Sequence, residues 1–325
     1  MTVPALSALL AELEGRDTLT ADDALAVRRV IFGGDVEVTP EEAEALIAIN
    51  EAADQKSVEW TQLFVETIAD FVVRQQEPSG YVDSANAGWL IEAVSRDGRV
   101  RRDSELEAIV HVIEIADSTP PELALFALDQ AKAKVLAAGR ALEREDVDLL
   151  RRIVFAAAGA GSLAVTRAEA EVLFDINDEV RGRDNDPAWT DFYAKAIGNA
   201  VMAASGYIPP SREEALRQEA WLEGRGSTVR FLSRVAGTLF LQPSRVLEAY
   251  RSPDAKEEVY ARKGAMEAAE LAASEPVTED EATWIVERVG RDGELDENEQ
   301  ALIRFLSSES PKLHPALQPL LDRAA

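Results

Sequence analysis

Residues 149–177 read LLRRIVFAAAGAGSLAVTRAEAEVLFDIN, and residues 26–50 read AVRRVIFGGDVEVTPEEAEALIAIN. Laid over one another, they place Arg28, Arg29 and Phe32 on Arg151, Arg152 and Phe155. The loop that follows is four residues longer in the later stretch. Beyond it Thr39, Glu42, Ala43, Glu44, Leu46, Ile49 and Asn50 fall on Thr166, Glu169, Ala170, Glu171, Leu173, Ile176 and Asn177. Self-similarity of this kind is the signature of an internal repeat. Within the earlier copy, Ala43, Leu46, Ile47 and Asn50 stand at i, i+3, i+4 and i+7, one face of a helix. Thr39 as N-cap, Pro40 in the first turn and Glu42 three residues after Thr39 complete a capping-box pattern.

Outward from there the match continues. Trp60, Thr61 and Ile68 pair with Trp189, Thr190 and Ile197, and Ser79, Gly80 and Tyr81 pair with Ser205, Gly206 and Tyr207. Ser57 before Trp60, and Asp186 with Pro187 before Trp189, mark further helix starts, while Gly80 and Gly206 occupy places suited to left-handed C-terminal caps. Correspondence then lapses for some 65 residues and resumes at 284–303, WIVERVGRDGELDENEQALI, against 89–109, WLIEAVSRDGRVRRDSELEAI. Trp89, Glu92, Arg96, Asp97 and Gly98 face Trp284, Glu287, Arg291, Asp292 and Gly293, with Glu105 and Ile109 facing Glu299 and Ile303. No alternating β pattern of useful length is present, so the expected fold is all-α, a tandem duplication of helical domains. The expected domains are 1–137 and 138–325, the second carrying an insertion at about 209–274. Residues 127–146 read as a connecting helix.

Composition narrows the function classes. With 325 residues, about two domains are expected. Sixty acidic against 34 basic residues give a formal charge of -26, a field that repels phosphate backbones and anionic lipid. Nucleic acid is therefore not an expected partner. The absence of Cys removes thiolate zinc sites and cysteine nucleophiles, and two His residues leave no basis for a multi-histidine centre. The acidic opening lacks a signal-peptide pattern and no stretch approaches a membrane span, so a cytoplasmic location is expected.

Four segments share a plan: an apolar helix, a short loop closed by one aliphatic residue (Val38, Val100, Val165 or Leu295), then an acidic helix start. The layout resembles the EF-hand. Calcium needs six to eight hard oxygens. With the aliphatic at loop position 8, position 1 holds Ile31, Ala93, Ala158 or Arg288, none of which can ligate through its side chain. Asp97-Gly98 and Asp292-Gly293 are turn dipeptides, and the helix-start glutamates read as caps. Asp-Gly followed by an aliphatic and then Glu is also similar to the signature of the TerB-like family, an all-helical group tied to tellurite resistance and stress operons. Asp97, Gly98, Val100 and Glu105 carry it with one extra residue of spacing, and Asp292, Gly293, Leu295 and Glu299 carry it in register. The resemblance implies an accessory or scaffold role with possible divalent-cation contact, through Asp97, Glu105, Asp292, Asp296 and Glu299.

Catalytic signals are sparse. GxSxG, HExxH, a P-loop lysine and a dinucleotide glycine motif are all missing from the sequence. His111 matches Phe305 and reads as a packed structural residue, and His314 lies in a Pro-rich tail. Glu42 with Glu44, and Glu169 with Glu171, stand at i, i+2 and read as a solvated face. Asn50 and Asn177 read as side chains bonded to a neighbouring loop backbone, and Trp60, Trp89, Trp189 and Trp284 as core anchors. The insertion holds ten acids and ten bases, so the rest of the chain carries the whole of the -26. In it Val229, Leu232, Val235, Ala236, Leu239 and Phe240 share one helical face, with Arg230 and Arg234 on the other. The expected function is a non-catalytic interaction or scaffold module, without a bound cofactor. Its protein partner or second copy would meet Trp221, Arg230 and Arg234 of the insertion. Weak divalent-cation binding is the alternative.

Overall fold

A computed structural model describes residues 6–33, 37–96, 98–157, 165–204, 279–289, 291, 295–309, 315, 318 and 322. The chain is all-α. In order the helices are α1 (Leu6–Leu13), α2 (Ala21–Ile31), α3 (Pro40–Ala52), α4 (Val58–Arg74), α5 (Ser84–Val94) and α6 (Asp103–Ile115). They continue with α7 (Pro121–Ala137), α8 (Arg144–Ala157), α9 (Arg167–Val180), α10 (Pro187–Ala204), α11 (Glu279–Arg288) and α12 (Glu297–Glu309). Strand β1 (Thr18–Leu19) pairs in parallel with β2 (Gln55–Lys56), and β3 (Ser95–Arg96) pairs antiparallel with β4 (Arg99–Val100). Among the described residues no helix is long and apolar enough to cross a membrane.

Two compact units are present: Met1–Ala157 with Asp175–Asp186, and Ala158–Phe174 with Pro187–Ala325. In the first, α6 is the central helix and packs on α4, α7 and α8. Its Leu106, Ala108, Ile109, Val110, Val112 and Ile113 are all buried, because apolar residues occupy more than a single stripe of it. Helix α8 lies beyond the boundary expected at 137/138, yet it packs on α6 and α7 and belongs to the first unit. The stretch 127–146 is also not one connecting helix. Helix α7 ends at Ala137, Gly139 takes a positive φ of 63°, and α8 starts at Arg144. In the second unit α10 packs on α12, with Gly198 against Phe305; a Cβ at Gly198 would meet that ring at 2.5 Å.

Residues paired by the sequence make paired contacts, and the pairing extends upstream of Arg28 and Arg151. Leu19 and Leu142 are both buried, and their carbonyls accept the N–H of Ser57 (2.9 Å) and Asp186 (2.8 Å), the residues just before α4 and α10. Asp23 takes the backbone N–H of Thr20 and the guanidinium of Arg16; Asp146 takes those of Glu143 and Arg140. Gly15 and Gly139, each two residues beyond a helix end, both have positive φ. The closing aliphatics share a device as well. The N–H of Val38, Val100 and Val165 each donates to a side-chain amide, on Gln75, Gln130 and Asn199. Gly80 has the expected positive φ but stands five residues past the α4 C-cap, Gln75, donating to the carbonyl of Val73. Gly206 lies outside the described residues.

Asn50 corrects the sequence reading. Its amide is fully buried and bonds side chains, not a loop backbone: Nδ2 donates to Ser104 Oγ (2.9 Å), and Oδ1 accepts from the Trp60 indole (3.3 Å). One polar side chain of α3 thus joins the start of α4 to the start of α6. A polar group buried without a partner costs about 1–3 kcal/mol. Asn50→Ala orphans both Ser104 and Trp60, and is expected to lose about 1–3 kcal/mol in urea denaturation. The double variant Asn50→Ala/Ser104→Ala is expected to lose less than the sum of the two single variants.

Candidate functional site

The structure assigns the helix-start carboxylates a common task. Glu105 is 2% exposed at the third position of α6, and its carboxylate accepts the backbone N–H of Arg102 at 3.1 Å. Asp296 and Glu299 bond reciprocally, the Asp296 N–H to Glu299 (2.9 Å) and the Glu299 N–H to Asp296 (2.8 Å). Glu42 with Thr39, and Glu169 with Thr166, do the same at α3 and α9. The first N–H groups of a helix have no intrahelical acceptor, and a carboxylate three residues in supplies one. Burial pushes the Glu105 carboxyl above the usual range, against the backbone N–H groups of Arg102 and Arg101 that hold it down. Burial likewise raises Glu169, against its bonds to Thr166.

Asp97 and Asp292, the other two residues expected to contact a cation, lie outside the described residues, as do Trp221, Arg230, Arg234 and His314. Glu105 belongs to the first unit, and Asp296 and Glu299 to the second. Among the described residues no group of three or more His, Asp or Glu side chains is placed to hold a metal ion.

Sequence reasoning missed a polar cluster on α6 and α8. Glu107, His111 and Glu114 stand at i, i+4 and i+7 on α6, and Arg152 reaches them from α8. Its Nε and Nη2 donate to Glu114 at 2.7 and 3.0 Å, and its Nη1 and Nη2 donate to Glu107 at 3.0 and 2.7 Å. His111 Nδ1 lies 3.5 Å from Glu114, so this residue, expected as packed and structural, faces an acid. Burial alone would raise the Glu114 carboxyl, but hydrogen bonds and charge from His111 and Arg152 hold it down at about 2. Arg152 is correspondingly held above the ordinary arginine range, its bonds to Glu114 and Glu107 outweighing burial. A planar guanidinium bidentate to two carboxylates is a strong, geometrically specific clasp. The signal in the sequence was the acid–His–acid spacing, with the Arg pair far along the chain.

The second unit has an aromatic counterpart. The Trp284 indole N–H donates to Glu171, which also takes Arg288 Nε at 2.9 Å. Arg167 lies over the Trp284 ring at 4.5 Å, and Arg288 over Phe174 at 5.3 Å. In the first unit the Trp89 indole donates to Glu44 at 3.4 Å, so matched tryptophans meet matched glutamates. Two expectations change. Trp60 and Trp189 are fully buried anchors, whereas Trp89 and Trp284 are half-buried, with their polar edge on an acid. Glu44 and Glu171 keep solvent exposure and also accept an indole N–H.

No family model, curated protein or solved structure matches the chain.

Because the folded Glu114 carboxyl lies below its unfolded value, its contribution to stability is present above the unfolded pKa of 4.5 and disappears as pH falls towards 2. Glu114→Gln is therefore expected to cost about 1–3 kcal/mol at pH near 7, with the difference shrinking steadily below about pH 4. Urea melts of both proteins across pH check this. Glu105 has the opposite sign: its raised carboxyl is most favourable while protonated, and that advantage is lost as pH rises through its folded value. Glu105→Gln keeps an acceptor for Arg102 and is expected to equal or exceed the parent in stability at neutral pH. Glu105→Ala is expected to lose about 0.5–2 kcal/mol. Differential scanning calorimetry of the pair separates the two outcomes.

Proposed function

We propose that the chain is a non-catalytic helical interaction or scaffold protein, built from two tandem copies of one helix-loop-helix plan and similar in type to the TerB-like proteins of stress operons. The observation that carries this reading is the common fate of Glu42, Glu105, Glu169 and Glu299. Each stands at a helix start, and each gives its carboxylate to the backbone N–H of its own N-cap residue. Groups that would otherwise be candidates for acid–base or ligand chemistry serve the fold. The reading is further supported by the charge pattern, since a neutral insertion at about 209–274 sits in a chain of charge -26. The insertion, with Trp221, Arg230 and Arg234, is the proposed contact for a protein partner or a second copy, since a local arginine pair facing an acidic surface steers association. Divalent-cation binding through Asp97, Glu105, Asp292, Asp296 and Glu299 has less support, because Glu105, Asp296 and Glu299 already hold backbone N–H groups.

The full chain, immobilised, is expected to retain a partner that the Arg230→Ala/Arg234→Ala variant loses, or to sediment as a self-associated species that the variant disperses. Identical retention and sedimentation for both proteins would overturn the assignment. A thermal melt of chelator-treated protein with Ca, Mg, Mn and Zn is expected to give no ion-specific shift. A saturable shift for one ion, lost in Asp292→Ala, would move the cation reading ahead.

A further inference from the structure

Two cations converge on the C-terminal end of α3. Lys56, in β2, donates from Nζ to the carbonyl of Ala53, the α3 C-cap, at 2.6 Å. Arg102, the N-cap of α6, donates from Nε and Nη2 to the carbonyl of Glu51 at 3.0 and 2.8 Å, and from Nη2 to Asp54 at 3.1 Å. The pair belongs to one copy of the repeat: the residues matched to Lys56 and Arg102 are Asn185 and Asp296. Asn185 donates to the carbonyl of Val180 through a neutral amide at 3.0 Å. The fold therefore does not require a positive charge at this register.

The other described lysines are held differently. Lys132, Lys134 and Lys195 are each paired with an aspartate, at 2.7, 2.8 and 2.9 Å, which favours the ammonium form. Lys256, Lys263 and Lys312 lie outside the described residues. Lys56 is half-buried, bonds a backbone carbonyl and has no ion pair among the described residues. Its neighbour at the helix end is a guanidinium, which cannot give up a proton, so only Lys56 can relieve the repulsion between the two. Burial and the charge of Arg102 hold the Lys56 ammonium below the usual lysine range, against the opposite pull of Glu105 and Asp54. A lysine that is desolvated and set beside a second cation is suited to attack carbonyl carbon.

We infer that Lys56 is a modification site for small uncharged aldehydes, which it takes up as an imine. The lone pair of the neutral Nζ adds to the carbonyl carbon, and the carbonyl oxygen takes a proton to give a carbinolamine. Loss of water then leaves the C=N bond, so that amine and aldehyde become imine and water without an oxidant or reductant. Charge selects the class of electrophile. A chain of charge -26 repels anionic acyl donors, whereas an uncharged aldehyde meets no such barrier. This site rests on neither the insertion nor the scaffold reading.

The test treats the full chain with acetaldehyde and cyanoborohydride, which traps the imine as an N-ethyl amine, and follows each lysine by peptide mass spectrometry across pH. At neutral pH Lys56 is expected to be labelled on the order of threefold or more faster than Lys132, Lys134 and Lys195, since each unit by which an amine is lowered raises its neutral fraction about tenfold. Its rate is expected to reach half-maximum at a lower pH than theirs, and Arg102→Gln to move that midpoint upward. With glyoxylate, an anionic aldehyde, the Lys56 rate is expected to rise with added salt, and with acetaldehyde to stay constant. Equal rates at Lys56 and the three ion-paired lysines, or a pH midpoint no lower than theirs, overturns the inference. Both comparisons are made within the parent protein and hold whether or not Arg102→Gln folds. A glyoxylate rate indifferent to salt overturns the choice of uncharged aldehydes. Arg230→Ala/Arg234→Ala is expected to label as the parent does, so failure here and failure of the insertion reading are distinguishable.

Discussion

Helix starts that are packed against a core leave N–H groups with neither water nor a preceding turn to accept them, and this constraint organises the molecule. An unpaired backbone donor there would cost as much as a lost hydrogen bond. At α6, α9 and α12 the chain answers with a glutamate, and at α2 and α8 with an aspartate. Glu105, Glu169 and Glu299 are buried, and each turns its carboxylate back onto the N-cap residue of its own helix. Holding an acid in that position is costly in itself, which is why burial lifts the carboxyls of Glu105 and Glu169. The helix-loop-helix resemblance to cation-binding proteins is thus matched by a different use of the acid at the end of the loop.

With the helix starts satisfied, three kinds of polar link tie helices together in the first unit. Asn50 joins α3 to α4 and α6 through side chains alone. The backbone bond from Ser57 to the carbonyl of Leu19 sets where α4 begins, and Asp186 makes the same bond to Leu142. Arg152 clamps α8 to α6 through both carboxylates. The matched residue of α2, Arg29, is exposed and has no ion pair among the described residues.

Much of this was legible in the residues. Thr39, Pro40 and Glu42 announced α3, Ser57 announced α4, and Asp186 with Pro187 announced α10, since capping chemistry is local and depends on spacing of three or four residues. The pairing of Trp60 with Trp189, both fully buried, was legible from identity at matched positions. Harder to see was the upstream extension to Leu19 and Leu142, where conserved geometry is made by backbone carbonyls and leaves few matching side chains. The Asn50 partners were misjudged because Ser104 lies 54 residues away, and only packing brings it within 2.9 Å. Glu44 is exposed, as its helical spacing implied, but that spacing does not reveal that an indole on another helix donates to Glu44 and to Glu171.

By itself the sequence determined helix class, helix starts, the internal match and the acidic balance, because each follows from residue type and short-range periodicity. Only the tertiary structure decided which charges are neutralised. Arg29 and Arg152 are identical in type and matched in position, and residue type alone does not say which of them is neutralised. They differ because α6 packs on α8 and brings Glu107 and Glu114 against Arg152, while α4, packed on α2, brings Glu66 to Arg28. Coulomb energy and desolvation depend on distance in space, and distance in space is what a linear pattern leaves open.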